Sequence, residues 1–274
     1  FYYYRGLSTI AMEKADFKTA LQYLAKQENL VKKNIKEFRD ELPMIYKSQA
    51  DVLREAGDTK TAFEKLEAAE ELTGNKSKDN LIEIYANYGL LNQRLLNFKE
   101  ALNYFKKALS LAVKHKGTVS IRAGMLSGNI ALVYTKLNNF SGAMKFTEKS
   151  IRILSRYKGE TDLDISKAMH TKGLIYLDTG RYEKAYRIFE KVLKYHRKIF
   201  GNTHPDIASV LINIGSIFYY QTNYKKALDY YEQALRIRKS IYGERHREVY
   251  TTLLNIGAMY TNLSKLDKTQ SVYN

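Results

Sequence analysis

The segment "NYKKALDYYEQALRI", residues 223–237, has nearly the same order of polar and apolar residues as "NFKEALNYFKKALSL", residues 97–111. The later segment begins 126 residues after the earlier one, which is three steps of 42 residues. The two intermediate slots, residues 139–153 and 181–195, read "NFSGAMKFTEKSIRI" and "RYEKAYRIFEKVLKY". The chain therefore repeats one pattern at a period typical of repeat proteins.

An anchor alanine marks the same slot in each copy of the pattern. The steps are 42 residues, or 39 between the second and third copies, and the series reads Ala20, Ala62, Ala101, Ala143, Ala185, Ala227 and Thr269. It predicts seven repeats, with approximate boundaries 1–34, 43–76, 82–115, 124–158, 166–200, 205–242 and 247–274.

Each repeat is predicted to be a pair of helices. In residues 205–243 the apolar positions 207, 208, 211, 214, 215 and 218 have helical spacing, and Pro205 suits the first position of a helix. The polar residues 221–223 interrupt the pattern before a second apolar face, which ends near Gly243. Equivalent glycines at 117, 159 and 201 predict the same end in other repeats.

Small residues are expected where the two helices of a pair approach closely, and Gly215 and Ala227 are such positions. Tyr224 and Phe218 would fill the space above and below them. A single helix pair would bury too little apolar surface, so we expect the helix pairs to stack on one another.

These residues resemble the tetratricopeptide repeat. The clearest matches are Gly215, Phe218, Tyr224, Ala227, Tyr231 and Ala234 in one repeat, and Gly173, Tyr176, Gly180, Tyr182, Ala185 and Phe189 in the repeat before it. The 42-residue period is similar to that of the kinesin-light-chain type. The resemblance implies an all-α fold, a right-handed superhelical solenoid of about seven helical hairpins that form one domain over residues 1–274.

The amino-acid composition further narrows the possible classes of protein. The 274 residues contain no cysteine and carry a net charge of +16, and no apolar run reaches the length of about 20 residues that spans a bilayer. We expect a fragment of a longer, cytoplasmic protein.

A set of asparagines occupies one slot of the first helices, 14 residues before the anchor. These are Asn87, Asn129, Asn213 and Asn255, with Thr171 in the intervening repeat. The resemblance implies that first helices line a concave groove, where an asparagine ladder would hold the main chain of a bound peptide. The alternative is that the amides only satisfy backbone groups between helices. Predicted neighbours in the groove are Arg94, Lys167, His170, Ser216, Tyr219 and Tyr220.

Much of the positive charge falls on the second helices, in residues 148–158, 191–198 and 236–239. On the convex side these residues would form either a solvated face or a surface for an acidic partner, nucleic acid or acidic lipid.

Catalysis finds little support, because the histidines at 115, 170, 196, 204 and 246 have neither metal-ligand spacing nor a nearby nucleophile pattern. His204 and His246 share one slot at hairpin starts, where capping is expected. We predict no cofactor and no metal.

The sequence therefore predicts a non-catalytic interaction module that binds a peptide segment of a partner protein in its groove. The alternative is a regulatory or sensing arm of a larger signalling protein, such as a protease-like or transcriptional effector.

Overall fold

The structure is a computed structural model that describes residues 2–13, 16–157 and 163–264. Every regular element in these ranges is helical, which confirms the all-α prediction. The α-helices are α1 (Tyr2–Glu13), α2 (Phe17–Lys33), α3 (Ile35–Phe38), α4 (Leu42–Ala56), α5 (Thr59–Thr73), α6 (Lys78–Arg94), α7 (Phe98–Lys116), α8 (Ile121–Lys136), α9 (Phe140–Leu154), α10 (Leu163–Asp178), α11 (Tyr182–Phe200), α12 (Pro205–Tyr220), α13 (Tyr224–Tyr242) and α14 (Arg247–Asn262). A short 3₁₀ turn (Arg39–Glu41) follows α3.

The chain divides between α8 and α9 into two compact units, Phe1–Asn138 and Asn139–Asn274. In the N-terminal unit, α1 packs on α2, α4 on α5, and α6 on α7. In the C-terminal unit, α10 packs on α11 and α12 on α13. Each hairpin contacts the next within its unit, as expected for stacked repeats. That the seven repeats form one domain stays a prediction.

The helix ends agree with the repeat pattern. Helix α12 begins at Pro205, and three residues separate it from α13. Gly117, Gly201 and Gly243 are C-caps with φ of 85°, 71° and 76°, in the left-handed region that glycine tolerates. The predicted marker Gly159 and the last anchor, Thr269, lie outside the described residues.

The described turns that follow α4, α6, α8, α10, α12 and α14 also contain a left-handed residue, which the repeat pattern did not predict. Gly57 and Gly180 fill this slot in two repeats, but Leu96, Asn138, Thr222 and Ser264 fill it in others, with φ between 56° and 62°. The amide of Asn97 donates back to the carbonyl of Asn92 at 2.9 Å, which closes the helix end. Leu96 and Thr222 pay a steric cost in this conformation, on the order of 1–2 kcal/mol.

Close approach of the paired helices depends on a glycine that faces an aromatic ring. A Cβ atom added to Gly89 or Gly173 would lie 2.5 Å from the ring of Phe105 or Phe189. At Gly215 the corresponding distance to the ring of Tyr231 is 2.7 Å. The prediction for Gly215 is confirmed, and the ring that fills its space is that of Tyr231.

Within the N-terminal unit, tyrosines tie one hairpin to the next. The Tyr46 hydroxyl donates to Oε1 of Glu28 at 3.2 Å, and Gln49 Nε2 donates to Oε2 of Glu28 at 2.9 Å. Burial would raise the pKa of Glu28, but hydrogen bonds from Lys32 and Gln49 hold it below its usual value. The next hairpin repeats the contact, since the Tyr85 hydroxyl on α6 donates to Oε1 of Glu70 on α5 at 3.0 Å.

Candidate binding face

The first helices of the C-terminal unit, α10, α12 and α14, carry a set of polar side chains that we call the C-terminal face. Lys167 is exposed, and the other members are half-buried: His170, Asn213, Ser216 and Asn255. The face therefore presents hydrogen-bonding groups at the boundary between the packed interior and solvent.

One hydrogen bond joins α12 to α10 on this face. Nδ2 of Asn213 lies 2.9 Å from Nε2 of His170. An amide nitrogen can only donate, so Nε2 accepts and the imidazole carries its proton on Nδ1. Among the described residues, Oδ1 of Asn213 accepts no hydrogen bond. The amide is thus held by one N–H while its carbonyl oxygen and second N–H keep their bonding capacity.

Other predicted members of this set satisfy groups inside the fold. The Thr171 side chain is buried and donates to the carbonyl of Lys167 at 3.1 Å. The Ser216 hydroxyl donates to the carbonyl of Ile212 at 3.0 Å and lies 3.2 Å from the Tyr231 hydroxyl.

Tyr219 and Tyr220 lie at the C-terminal end of α12, where both are exposed. The Tyr220 ring stacks on Tyr182 with centroids 5.9 Å apart, and the Tyr219 ring lies 6.1 Å from that of Tyr224. These four rings form a cluster at the hairpin turns of the C-terminal unit.

Asn87, in α6 of the N-terminal unit, has a different environment from Asn213. The Asn87 residue is only 5% exposed, and its Nδ2 donates to the carbonyl of Glu83 in its own helix at 3.1 Å. Its Oδ1 is buried without a hydrogen-bond partner among the described residues. Asn129 on α8 is half-buried. The Glu83 carboxylate forms an ion pair with Arg122 beside this slot.

Arg94, also predicted for the groove, belongs to a network of ion pairs on α4 and α6. Its guanidinium lies 3.8 Å from the Glu55 carboxylate, which pairs with Arg54 at 2.6 Å. Asp51 pairs with both Arg54 and Lys47, the latter at 2.8 Å. Most charged groups on this part of the N-terminal unit therefore neutralise one another.

Basic residues that the sequence predicts on the second helices are mostly exposed, whereas Lys149 and Lys239 are half-buried, Lys158 lies outside the described residues, and Arg238 is buried. Arg238 is only 8% exposed. Its guanidinium donates to Thr252 Oγ1 and to the carbonyl of Glu248, both at 2.8 Å. This arginine holds the start of α14 and is not part of a basic surface. His196, one repeat earlier in the same slot, is also buried.

His196 contacts Ser166, with 3.0 Å between Nε2 and the hydroxyl oxygen. Its Nδ1 is buried without a partner in the part of the chain that the structure describes. Burial lowers the pKa of His196 because the charged imidazolium would lose its hydration.

The remaining predicted histidine role is confirmed. Nδ1 of His204 accepts from the amide of Asp206, and Nδ1 of His246 accepts from that of Glu248, each at 3.2 Å. Both histidines are N-caps. Their rings also stack on Phe200 and Tyr242, which the sequence did not predict.

Within the described ranges, no three His, Asp or Glu side chains converge as a metal site would require. None of the helices described above combines the length and apolar character needed to cross a bilayer.

A search of curated proteins finds no match. Three solved structures illustrate what the chain is similar to. A Rap protein complexed with Competence and Sporulation Factor is 15% identical, with a TM-score of 0.74, over 97% of this chain and 72% of that one. NprR in complex with its cognate peptide NprX is 21% identical, with a TM-score of 0.66, over 94% and 76% of the two chains. The repeats of a putative kinesin light chain from Podosopora anserina are 14% identical, with a TM-score of 0.56, over 71% and 90%.

These likenesses show a shared fold. A family model described as a tetratricopeptide repeat matches residues 41–114 and 164–240, which together exceed half of the chain. The matched ranges contain hairpins α4/α5, α6/α7, α10/α11 and α12/α13. The chain belongs to the tetratricopeptide-repeat family.

Proposed function

We propose that the chain is a non-catalytic interaction module that binds a peptide segment of a partner protein along the C-terminal face. The observation that carries this proposal is the pair formed by Asn213 and His170. It fixes a half-buried amide between two first helices and leaves the amide a free acceptor.

The chemistry of the pair suits an extended main chain. A peptide backbone presents one N–H donor and one C=O acceptor per residue, and a primary amide can satisfy both. Since His170 already orients the Asn213 amide, binding would cost little side-chain entropy. Asn255 places a second half-buried amide in the same slot one repeat later, on α14.

The similar structures support the class of ligand. The Rap and NprR structures named above hold Competence and Sporulation Factor and a cognate peptide, respectively. Those ligands belong to those proteins, and at their low identity only the fold carries over. The proposal for this chain therefore rests on its own polar face, with these structures as support.

The test begins with panning of a random 12-residue peptide display library against the whole chain. The affinity of an enriched peptide is then measured for the wild type, for Asn213→Ala and for Asn103→Ala. Asn103 is an exposed asparagine on the second helix α7, so it controls for the chemical change. We expect Asn213→Ala to weaken binding about tenfold, or ~1.4 kcal/mol, and Asn103→Ala to leave it unchanged.

Equal affinity of wild type and Asn213→Ala for every enriched peptide would refute binding at this face. Circular dichroism and thermal melting of each variant establish that the fold is retained.

A further inference from the structure

A groove of about 850 Å³ lies along the second helix α11 of the C-terminal unit. Helix α11 supplies most of its lining, and α10 supplies Lys172 and Tyr176. None of these residues belongs to the C-terminal face defined above. The groove is therefore a second concave surface within one unit.

The lining of this groove is strongly cationic. Six basic side chains line it, against the single carboxylate of Glu190: Lys172, Lys184, Arg187, Lys191, Lys194 and Arg197. The Lys172 ammonium lies 3.5 Å from the Glu148 carboxylate, and Arg187 pairs with Glu183 at 2.9 Å. Among the described residues, no carboxylate pairs with Lys191, Lys194 or Arg197.

These cations follow one side of the helix. Lys184, Arg187, Lys191 and Lys194 recur at intervals of three and four residues, which places them on one face of α11. From Lys184 to Arg197 the stripe extends about 20 Å, at roughly 1.5 Å of rise per residue. That length matches about four turns of a bound helix.

The groove also offers apolar surface. Ile188 and Leu193 belong to the hydrophobic core of this unit or pack against it, and both line the groove. Lysine and arginine stems add methylene groups around them. A ligand with apolar residues as well as carboxylates would therefore use more of the groove than a uniformly acidic one.

The aromatic residue in the described lining, Tyr176, is half-buried and lies near lysine ammonium groups. Ammonium groups of Lys172 and Lys184 lie 6.0 Å and 5.9 Å from the centroid of the Tyr176 ring. Proteins that bind single-stranded nucleic acid usually combine positive charge with open aromatic faces. The groove combines positive charge with a single half-buried aromatic ring, so its chemistry favours an acidic protein ligand over single-stranded nucleic acid.

We propose that this groove binds an acidic amphipathic segment of a partner protein. Carboxylates of the segment pair with Lys191, Lys194 and Arg197, and its apolar residues contact Ile188 and Leu193. This site is independent of the proposed peptide site on the C-terminal face, since the two share no residue.

The test uses a fluorescent 14-residue peptide of glutamate and leucine, with leucines at helical spacing, and the whole chain. Its affinity is measured by fluorescence anisotropy for wild type and for the double variant Lys191→Glu/Lys194→Glu. A matched control, Lys225→Glu/Arg236→Glu, makes the same charge change at exposed positions of α13. Melting temperatures establish that both variants fold.

We expect the groove variant to lose about tenfold or more in affinity, and the control variant less than about threefold. A counterpart peptide with glutamine in place of glutamate should bind at least about tenfold more weakly than the acidic one. Equal losses in the two variants, or no binding of the acidic peptide to wild type, would overturn the proposal. So would tighter binding of a length-matched oligo-dT or of phosphatidylserine vesicles, which would assign the groove to nucleic acid or to lipid.

Discussion

The asparagine slot of the first helices has different environments in α6 of the N-terminal unit and in α12 of the C-terminal unit. In α6, Asn87 is buried and bonded to its own helix, whereas in α12, Asn213 is half-buried and bonded to His170 of α10. The same residue type in the same repeat slot thus occurs in two different environments. The difference shows that the repeat pattern alone does not decide which asparagines a ligand can reach.

The two helices also differ one repeat earlier, at the slot occupied by His170. In α4 the equivalent residue is Lys47, whose ammonium pairs with Asp51 at 2.8 Å. An ammonium has no acceptor for an amide N–H, while a neutral imidazole does. Lys47 thus offers no acceptor to Asn87, whereas His170 offers one to the Asn213 amide.

The largest expected effect concerns the close packing of paired helices. We expect it to depend on a glycine in both units. We expect Gly89→Ala and Gly215→Ala each to destabilise the protein by about 1–3 kcal/mol, because the new methyl group would overlap an aromatic ring. Gly6→Ala is the control, since nothing lies within 4 Å of that position, and alanine there should stabilise α1 by up to about 1 kcal/mol. Urea unfolding measures all three.

If Gly89→Ala and Gly215→Ala were as stable as wild type, the close approach of paired helices would be wrong in both units.

The next effect tests whether His170 accounts for the difference between Asn213 and Asn87. His170→Lys gives α10 the residue that α4 has, so Asn213 should lose its acceptor and peptide affinity should fall about tenfold, or ~1.4 kcal/mol. His170→Gln, which keeps an acceptor, should retain most of the affinity. Isothermal titration with a peptide selected by panning measures both, and equal losses would show that only the imidazole matters.

A smaller effect concerns the hairpin turns, where the two units should behave alike. Leu96 and Thr222 both have a left-handed backbone, so Leu96→Gly and Thr222→Gly should raise the free energy of unfolding by about 0.5–1 kcal/mol. The gain is limited because glycine also increases the entropy of the unfolded chain. Gly180 already has this conformation, and Gly180→Ala should destabilise instead, as chemical unfolding would show.

The smallest expected effect is a difference in acid sensitivity. Because the pKa of folded His196 is lowered, the unfolded chain binds more protons below its ordinary pKa of about 6.5. Stability of the C-terminal unit should therefore fall as pH drops from 7 to 6. The half-buried Glu28, whose pKa is also lowered, contributes stability to the N-terminal unit that is lost only nearer pH 4.

Hydrogen exchange followed by mass spectrometry, corrected for intrinsic rates, separates the two units. Faster opening of α11 at pH 6 that disappears in His196→Gln is the expected result, and equal acceleration in α6 would contradict it.

The sequence predicted the hairpins well because period, proline and glycine report directly on backbone geometry, as at Pro205 and Gly243. It missed the left-handed turn residues because Leu96 and Thr222 are not typical of that conformation. The shared slot with Gly57 and Gly180 was the available signal.

The sequence also did not predict that Arg238 and His196 are buried, since charged and titratable residues usually lie at the surface. Their common slot, one repeat apart, was the only hint. Environments of the asparagines depend on contacts between residues about 40 positions apart, such as His170 with Asn213, which periodicity alone does not specify.

The most direct test of the account compares the two asparagines in one binding experiment. Isothermal titration with a peptide selected on the whole chain would measure Kd for wild type, Asn213→Ala and Asn87→Ala. The account predicts a loss of about tenfold for Asn213→Ala and a change of less than about twofold for Asn87→Ala. A larger loss at Asn87, or equal losses at both, would contradict the assignment of peptide binding to the C-terminal face.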